Sequence, residues 1–134
     1  MSQKQIEEFK QIEILYDKLL SSEFHIFPEK GKVNISNNHG VYIVFNPTNE
    51  VLHVGTTPSA KNGLNQRLYN HISNTGVFSK RYLQPNNINM RGTHKFKYLE
   101  VGNHRLRSLL EAYKAGRLCP LHFGTGEKNL KSKN

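Results

Sequence analysis

Apolar residues recur every three or four positions through the first twenty residues. Ile6, Phe9, Ile12, Leu15, Tyr16, Leu19 and Leu20 fall close to one face of a helix over residues 3–20, and Glu7, Glu8, Glu13 and Asp17 face away. Such a helix serves as an acidic lid or partner surface, or packs against the core; packing is the plainer expectation. Residues 21–38 carry Pro28, Gly31 and several asparagines, which predicts a connecting loop with one short extended piece at Val33–Ile35. The period then changes to two. In GVYIVFNPTNEVLHVG, Gly40 to Gly55, Val41, Ile43 and Phe45 alternate with Tyr42, Val44 and Asn46. Asn46-Pro47-Thr48-Asn49 supplies turn chemistry and Val51–Val54 returns, so the stretch predicts a β-hairpin.

Residues 56–63 form a loop, and Leu64–Ser73 reads as a helix whose buried stripe is Leu64, Leu68 and Ile72. Gln66, Arg67, Asn70 and His71 lie off that stripe. Residues 74–92 are polar and turn-rich, a loop with one short helix around Phe78–Leu83. HKFKYLEV, 94–101, alternates as a third strand with Phe96 and Tyr98 inward, and with Leu99 or Val101 as the next inward position. Asn103 is a good N-cap for a helix at 104–116, with Leu106, Leu109, Leu110 and Tyr113 as its apolar face and Gly116 as its end. Periodicity is lost after that. The pattern divides the chain into an N-terminal helix and connector (1–37), a central α+β domain (38–124) and a basic, flexible tail (125–134).

Composition adds two constraints. The single Cys119 rules out an intramolecular disulfide, and no apolar run is long enough for a membrane span. The N-terminus lacks a signal peptide's apolar core, so the expected setting is cytoplasmic. Net charge is +9 and unevenly placed: residues 1–30 hold four Lys and six acids, whereas the rest holds fifteen Lys/Arg against Glu50, Glu100, Glu111 and Glu127. A surface this one-sided attracts polyanions, and nucleic acid is the leading partner.

Taken singly, the polar residues have plain explanations: a strand tyrosine packs, an Arg and a His four apart share a solvated helix face, and Glu111 pairs with Arg107 or Lys114. The ordered set is more specific. GVY at 40–42 and HVG at 53–55 resemble the two halves of the GIY-YIG signature, with Tyr42 and His53 eleven positions apart. Arg67-x-x-x-His71 resembles that family's helix motif, and Leu110-Glu111-Ala112 its metal-binding glutamate. Pro120-x-His122 falls where many members carry a proline and then an asparagine. The resemblance covers about residues 38–124. It implies a small three-stranded antiparallel sheet flanked by helices, to which this chain adds its N-terminal amphipathic helix. It also implies a divalent-metal endonuclease.

By that resemblance, Tyr42 acts as the base or positions the attacking water, Arg67 contacts the scissile phosphate, His71 assists, and Glu111 is the sole protein ligand of Mg²⁺ or Mn²⁺. One carboxylate suffices for Mg²⁺ when water and phosphate complete its shell. Nearby positive charge is expected to lower the phenol's pKa. His53 stands where most members have tyrosine; it either accepts the phenolic proton across the hairpin or only bonds a neighbour or phosphate. Lys80, Arg81 and Arg91 in the 74–92 loop, together with His122, suit nucleic-acid contacts. DNA is the expected substrate; RNA ranks lower because the chain has no aromatic recognition platform. A homodimer is a further candidate assembly, and a non-cutting GIY-YIG-like binding module is the rival reading. The scattered His94, His104 and His122 with one cysteine argue against a zinc centre.

Overall fold

The computed structural model describes residues 1–58 and 61–123. In chain order the elements are helix α1 (Gln3–Ser21), strands β1 (His25–Ile26), β2 (Gly40–Phe45) and β3 (Val51–Thr56), helix α2 (Leu64–Ile72), a π-helical turn (Ser79–Leu83), strand β4 (Lys95–Glu100) and helix α3 (His104–Leu118). All four strands form one antiparallel sheet in the order β1-β4-β2-β3.

The run GVYIVF dictates this arrangement. After its glycine it offers a large apolar body at every position, so it must be covered on both faces. β2 accordingly lies inside the sheet, and all six of its residues are buried. One face carries Tyr42 and Val44 and packs with Leu52, Phe96, the α2 residues Leu64 and Leu68, and Phe78. The other carries Val41, Ile43 and Phe45 against α1 and Leu110 of α3. The sheet therefore has two cores, and β3 is an outer strand between the helices of the two layers.

Local chemistry sets the boundaries. Ser2 caps α1 in a reciprocal box: its Oγ accepts from Gln5 N at 3.2 Å and its own N–H donates to Gln5 Oε1 at 2.8 Å. Ile12, Tyr16 and Leu19 bury the helix against the core, so α1 is a packing element of the second layer. Its half-buried Glu8 accepts two bonds from Arg105 of α3, at 2.8 and 2.9 Å. In the hairpin turn, Asn46 Oδ1 accepts from Thr48 N and Glu50 N, and Asn49 takes a left-handed φ of 67° that asparagine tolerates.

Three expectations need correction. The short extra strand is His25–Ile26 rather than Val33–Ile35, because the N–H groups of Ile35 and Ser36 donate to Asn65 Oδ1 of α2 at 2.6 and 2.9 Å instead of to a strand. Gly116 does not end α3; the helix runs to Leu118 and closes on Cys119, whose φ is 46°. The sheet gains a fourth strand of two residues, too short to leave a periodic signal. The tail expected at 125–134 lies outside the described residues.

Leu110, fully buried between α3 and the sheet, is expected to lose about 2–5 kcal/mol of unfolding free energy on Leu110→Ala. Ile14→Ala, on the exposed side of α1, is expected to stay within about 0.5 kcal/mol; urea denaturation compares the two.

Candidate active site

The register of the hairpin sets Tyr42 opposite Gly55. A Cβ at Gly55 would fall 2.3 Å from both Cζ and Oη of Tyr42, so the phenol lies directly across the glycine's Cα. The ring is wholly buried, and its Oη is 2.6 Å from His71 Nε2. His71 reaches it because Leu64 and Leu68 pin one side of α2 into the core and turn position 71 toward the sheet. Contrary to the expectation of an off-stripe residue, His71 is buried, only 5% exposed.

His71, Gly55 and Arg67 line a cavity of about 990 Å³, whose wall also holds Glu111 of α3, His53 of β3 and His122. Tyr42 sits behind this wall, its oxygen screened by Gly55 and His71. The chain after α3 runs beside β3, with Leu121 N donating to Val51 O at 3.1 Å and His122 N to Leu52 O at 2.9 Å. That brings His122 Nδ1 to 3.3 Å from His53 Nδ1. His53 stacks on Phe78, centroids 4.1 Å apart and planes at 8°. Its ring centroid is 6.1 Å from that of Tyr42, and the phenol oxygen bonds His71. The partner of the phenol is therefore the helix histidine, not the strand histidine.

Burial dominates the electrostatics. It pushes the Tyr42 phenol up to about 12; Arg67 pulls it down by charge and hydrogen bonding, and Glu111 adds to the rise. The expected lowering by the basic surroundings is thus outweighed by loss of water. Burial, then Arg67 and His122, depress His71 to about 3. His53 is held well below its ordinary value by burial and by His71, His122, Lys114 and Arg67. Both imidazoles are neutral at pH 7. The Glu111 carboxyl is raised by burial, with Lys114 and Arg67 pulling the other way.

Among the described residues, two buried polar side-chain atoms, Arg67 Nε and His71 Nδ1, have no hydrogen-bond partner. Glu111 makes no hydrogen bond to the described residues, and no group of three or more His, Cys, Asp or Glu among them is disposed to hold a metal. Among the described residues, a cation requiring three or more protein ligands does not fit. One requiring a single carboxylate, water and a phosphate oxygen does.

The expected nucleic-acid contacts are spread out. Lys80 and Arg81 are exposed on the π-helical turn. Arg91 donates from Nη1 to Pro28 O at 3.3 Å and Gly31 O at 2.9 Å, which fastens the loop before β2. None of these three lines the cavity, whereas His122 does. Sequence reasoning missed Arg107 and Lys114, which are buried with Leu110 on the inner face of α3. Arg107 donates to the carbonyls of Thr57, Val101 and Gly102. Their spacing of three and four from Leu110 was the available signal, hidden by assigning long basic side chains to solvent.

The model of the GIY-YIG catalytic domain matches residues 38–113, more than half of the chain. The chain belongs to the GIY-YIG family. Searches of curated proteins and of solved structures returned no match. The matched GIY-YIG domain runs from the residues before β2 into α3 and contains Tyr42, His53, Arg67, His71 and Glu111; α1 and His122 lie outside it. The GIY-YIG domain brings a nuclease-type fold and implies nucleic-acid binding. No helix among the described residues is long and apolar enough to cross a membrane.

The depressed histidines give a pH signature. Above pH 6.5 they are neutral folded and unfolded; below it the unfolded chain binds protons that folded His71 refuses until about pH 3. Stability is therefore fully present above pH 6.5 and is lost as pH falls through this window, by up to about 1.4 kcal/mol per pH unit for each histidine. Unfolding free energies at pH 6 and pH 5 are expected to differ less in His71→Phe than in the wild type.

Proposed function

We propose that the chain is a divalent-metal-dependent endonuclease that hydrolyses DNA phosphodiester bonds at the cavity between α2 and α3. The observation that carries this reading is the convergence of Arg67, His71 and Glu111, from two helices on opposite sheet faces, on one cavity at an outer strand. The segregated positive charge favours a polyanionic substrate.

Each residue has a role that its surroundings support. A guanidinium can bind a phosphate through parallel hydrogen bonds, and a phosphate oxygen is a natural partner for the orphaned Nε of Arg67. Neutral His71 has one lone pair to offer, and its unpartnered Nδ1 is the atom left to meet the attacking water. Tyr42 holds the other ring nitrogen and completes a phenol–imidazole pair through which the water's proton is taken up. Phosphate binding neutralises Arg67, one of the causes that depress His71, and so makes the imidazole a better base when substrate is present. Glu111 would hold Mg²⁺ or Mn²⁺. When bound, the cation supplies Lewis-acid stabilisation of charge developing on the phosphate and leaving oxygens. His53 and His122 supply hydrogen bonds at the cavity wall, while Lys80 and Arg81 give the DNA backbone exposed charge beyond it.

Cleavage of plasmid and oligonucleotide DNA with Mg²⁺ or Mn²⁺ tests the reading. Arg67→Ala and Glu111→Ala are each expected to lower the rate by about 10²-fold or more, with DNA binding kept in Glu111→Ala. Tight DNA binding by the wild type without cleavage under either metal would instead identify a non-catalytic binding module.

A further inference from the structure

Lys114 is wholly buried, yet its Nζ donates to two backbone carbonyls, Tyr42 O at 3.1 Å and Gly55 O at 2.9 Å. These are the two residues that face each other across β2 and β3 and whose contact seats the phenol over a bare Cα. Lys114 also lies three positions after Glu111 on α3, so the two side chains leave the helix from neighbouring turns. One amine thus ties the helix that bears the carboxylate to both strands that hold the phenol.

Burying an amine in place of an apolar side chain is unfavourable unless its hydrogen bonds are made. A methionine would fill a similar volume without that penalty. A residue needed only to fill the core would not be a lysine. Burial moves this amine down to about 7, with Glu111 opposing, and the two carbonyls give it partners whichever form it takes.

We propose that Lys114 is a positioning residue: by clamping the Tyr42 and Gly55 carbonyls to α3, it fixes the separation between the Tyr42–His71 pair and Glu111. The proposal rests on the nuclease reading for its effect on rate, but not for its effect on geometry. Misplacement of reacting groups by about 1 Å lowers rates by as much as about 10²-fold.

Lys114→Met and Lys114→Gln are compared with wild type and with Lys97→Met. Lys97 also donates to a backbone carbonyl, that of Leu20, away from the cavity. Two readouts are taken: DNA-cleavage kinetics, and the ¹⁵N chemical shifts of the His71 ring, which report its bond to Tyr42. In Lys114→Met, kcat is expected to fall about 10–100-fold with KM and DNA affinity unchanged, Tm equal or higher, and the His71 shifts displaced. Lys114→Gln, which keeps two N–H donors, is expected to recover part of both. Lys97→Met is expected to change neither. If Lys114→Met does not fold, Lys114→Gln against Lys97→Met decides by the same readouts. Unmoved His71 shifts would overturn the proposal whether or not the protein cleaves DNA. Displaced shifts in a protein with no cleavage in the wild type would uphold the clamp and reject the nuclease reading. Displaced shifts with unchanged kcat would reject the catalytic consequence.

Discussion

The contact between the Tyr42 ring and the bare Cα of Gly55 is the constraint on which the site depends. Any side chain at position 55 would occupy the space of the phenol. With that space open, the ring crosses its partner strand toward His71, and α2 can close over the same face through Leu64 and Leu68. Gly40 makes a similar demand at the start of β2, where a Cβ would lie 2.2 Å from Leu99 O. The glycines flanking the hairpin are thus steric requirements of close packing.

A two-sided core follows from the same strand. Because β2 is buried on both faces, helices from opposite layers meet at the outer strand β3, and their polar residues gather there. The consequence is a shortage of water. Burial, more than any charge, drives the phenol up and the imidazoles down. In the free protein the site therefore carries the Arg67 charge while His53 and His71 are neutral. Such a state suits an incoming anion, whose charge offsets the Arg67 repulsion that adds to burial in depressing His71.

The hairpin was legible because period-two patterning and the Asn-Pro-Thr-Asn turn act locally, and residues 40–55 carry both. The helices were legible for the same reason, to within a turn. Less was legible where tertiary contacts override local signals. His25–Ile26 pairs with β4 through too few residues to show alternation. His71 looked solvent-facing because it stands off an apolar stripe, but a small domain with two layers buries more than one side of α2. Arg107 and Lys114 occupy core positions that helical spacing alone would have assigned to apolar residues, and they satisfy carbonyls of loops and strands that are remote in sequence. The ordered set of Tyr42, Arg67, His71 and Glu111 was named from the resemblance, and the fold brings the last three to one cavity with Tyr42 bonded to His71 behind it. Which histidine holds the phenol could not be read in advance, since that depends on how α2 rolls against the sheet.

The most direct measurement is the crystal structure of the protein with Mn²⁺ and an oligonucleotide carrying a cleavage-resistant phosphorothioate at the cut position. The account predicts a single anomalous manganese peak on the Glu111 carboxylate, with the modified phosphate held by Arg67 beside His71. Manganese bound away from Glu111, or a nucleic-acid backbone that passes outside the cavity between α2 and α3, would contradict it.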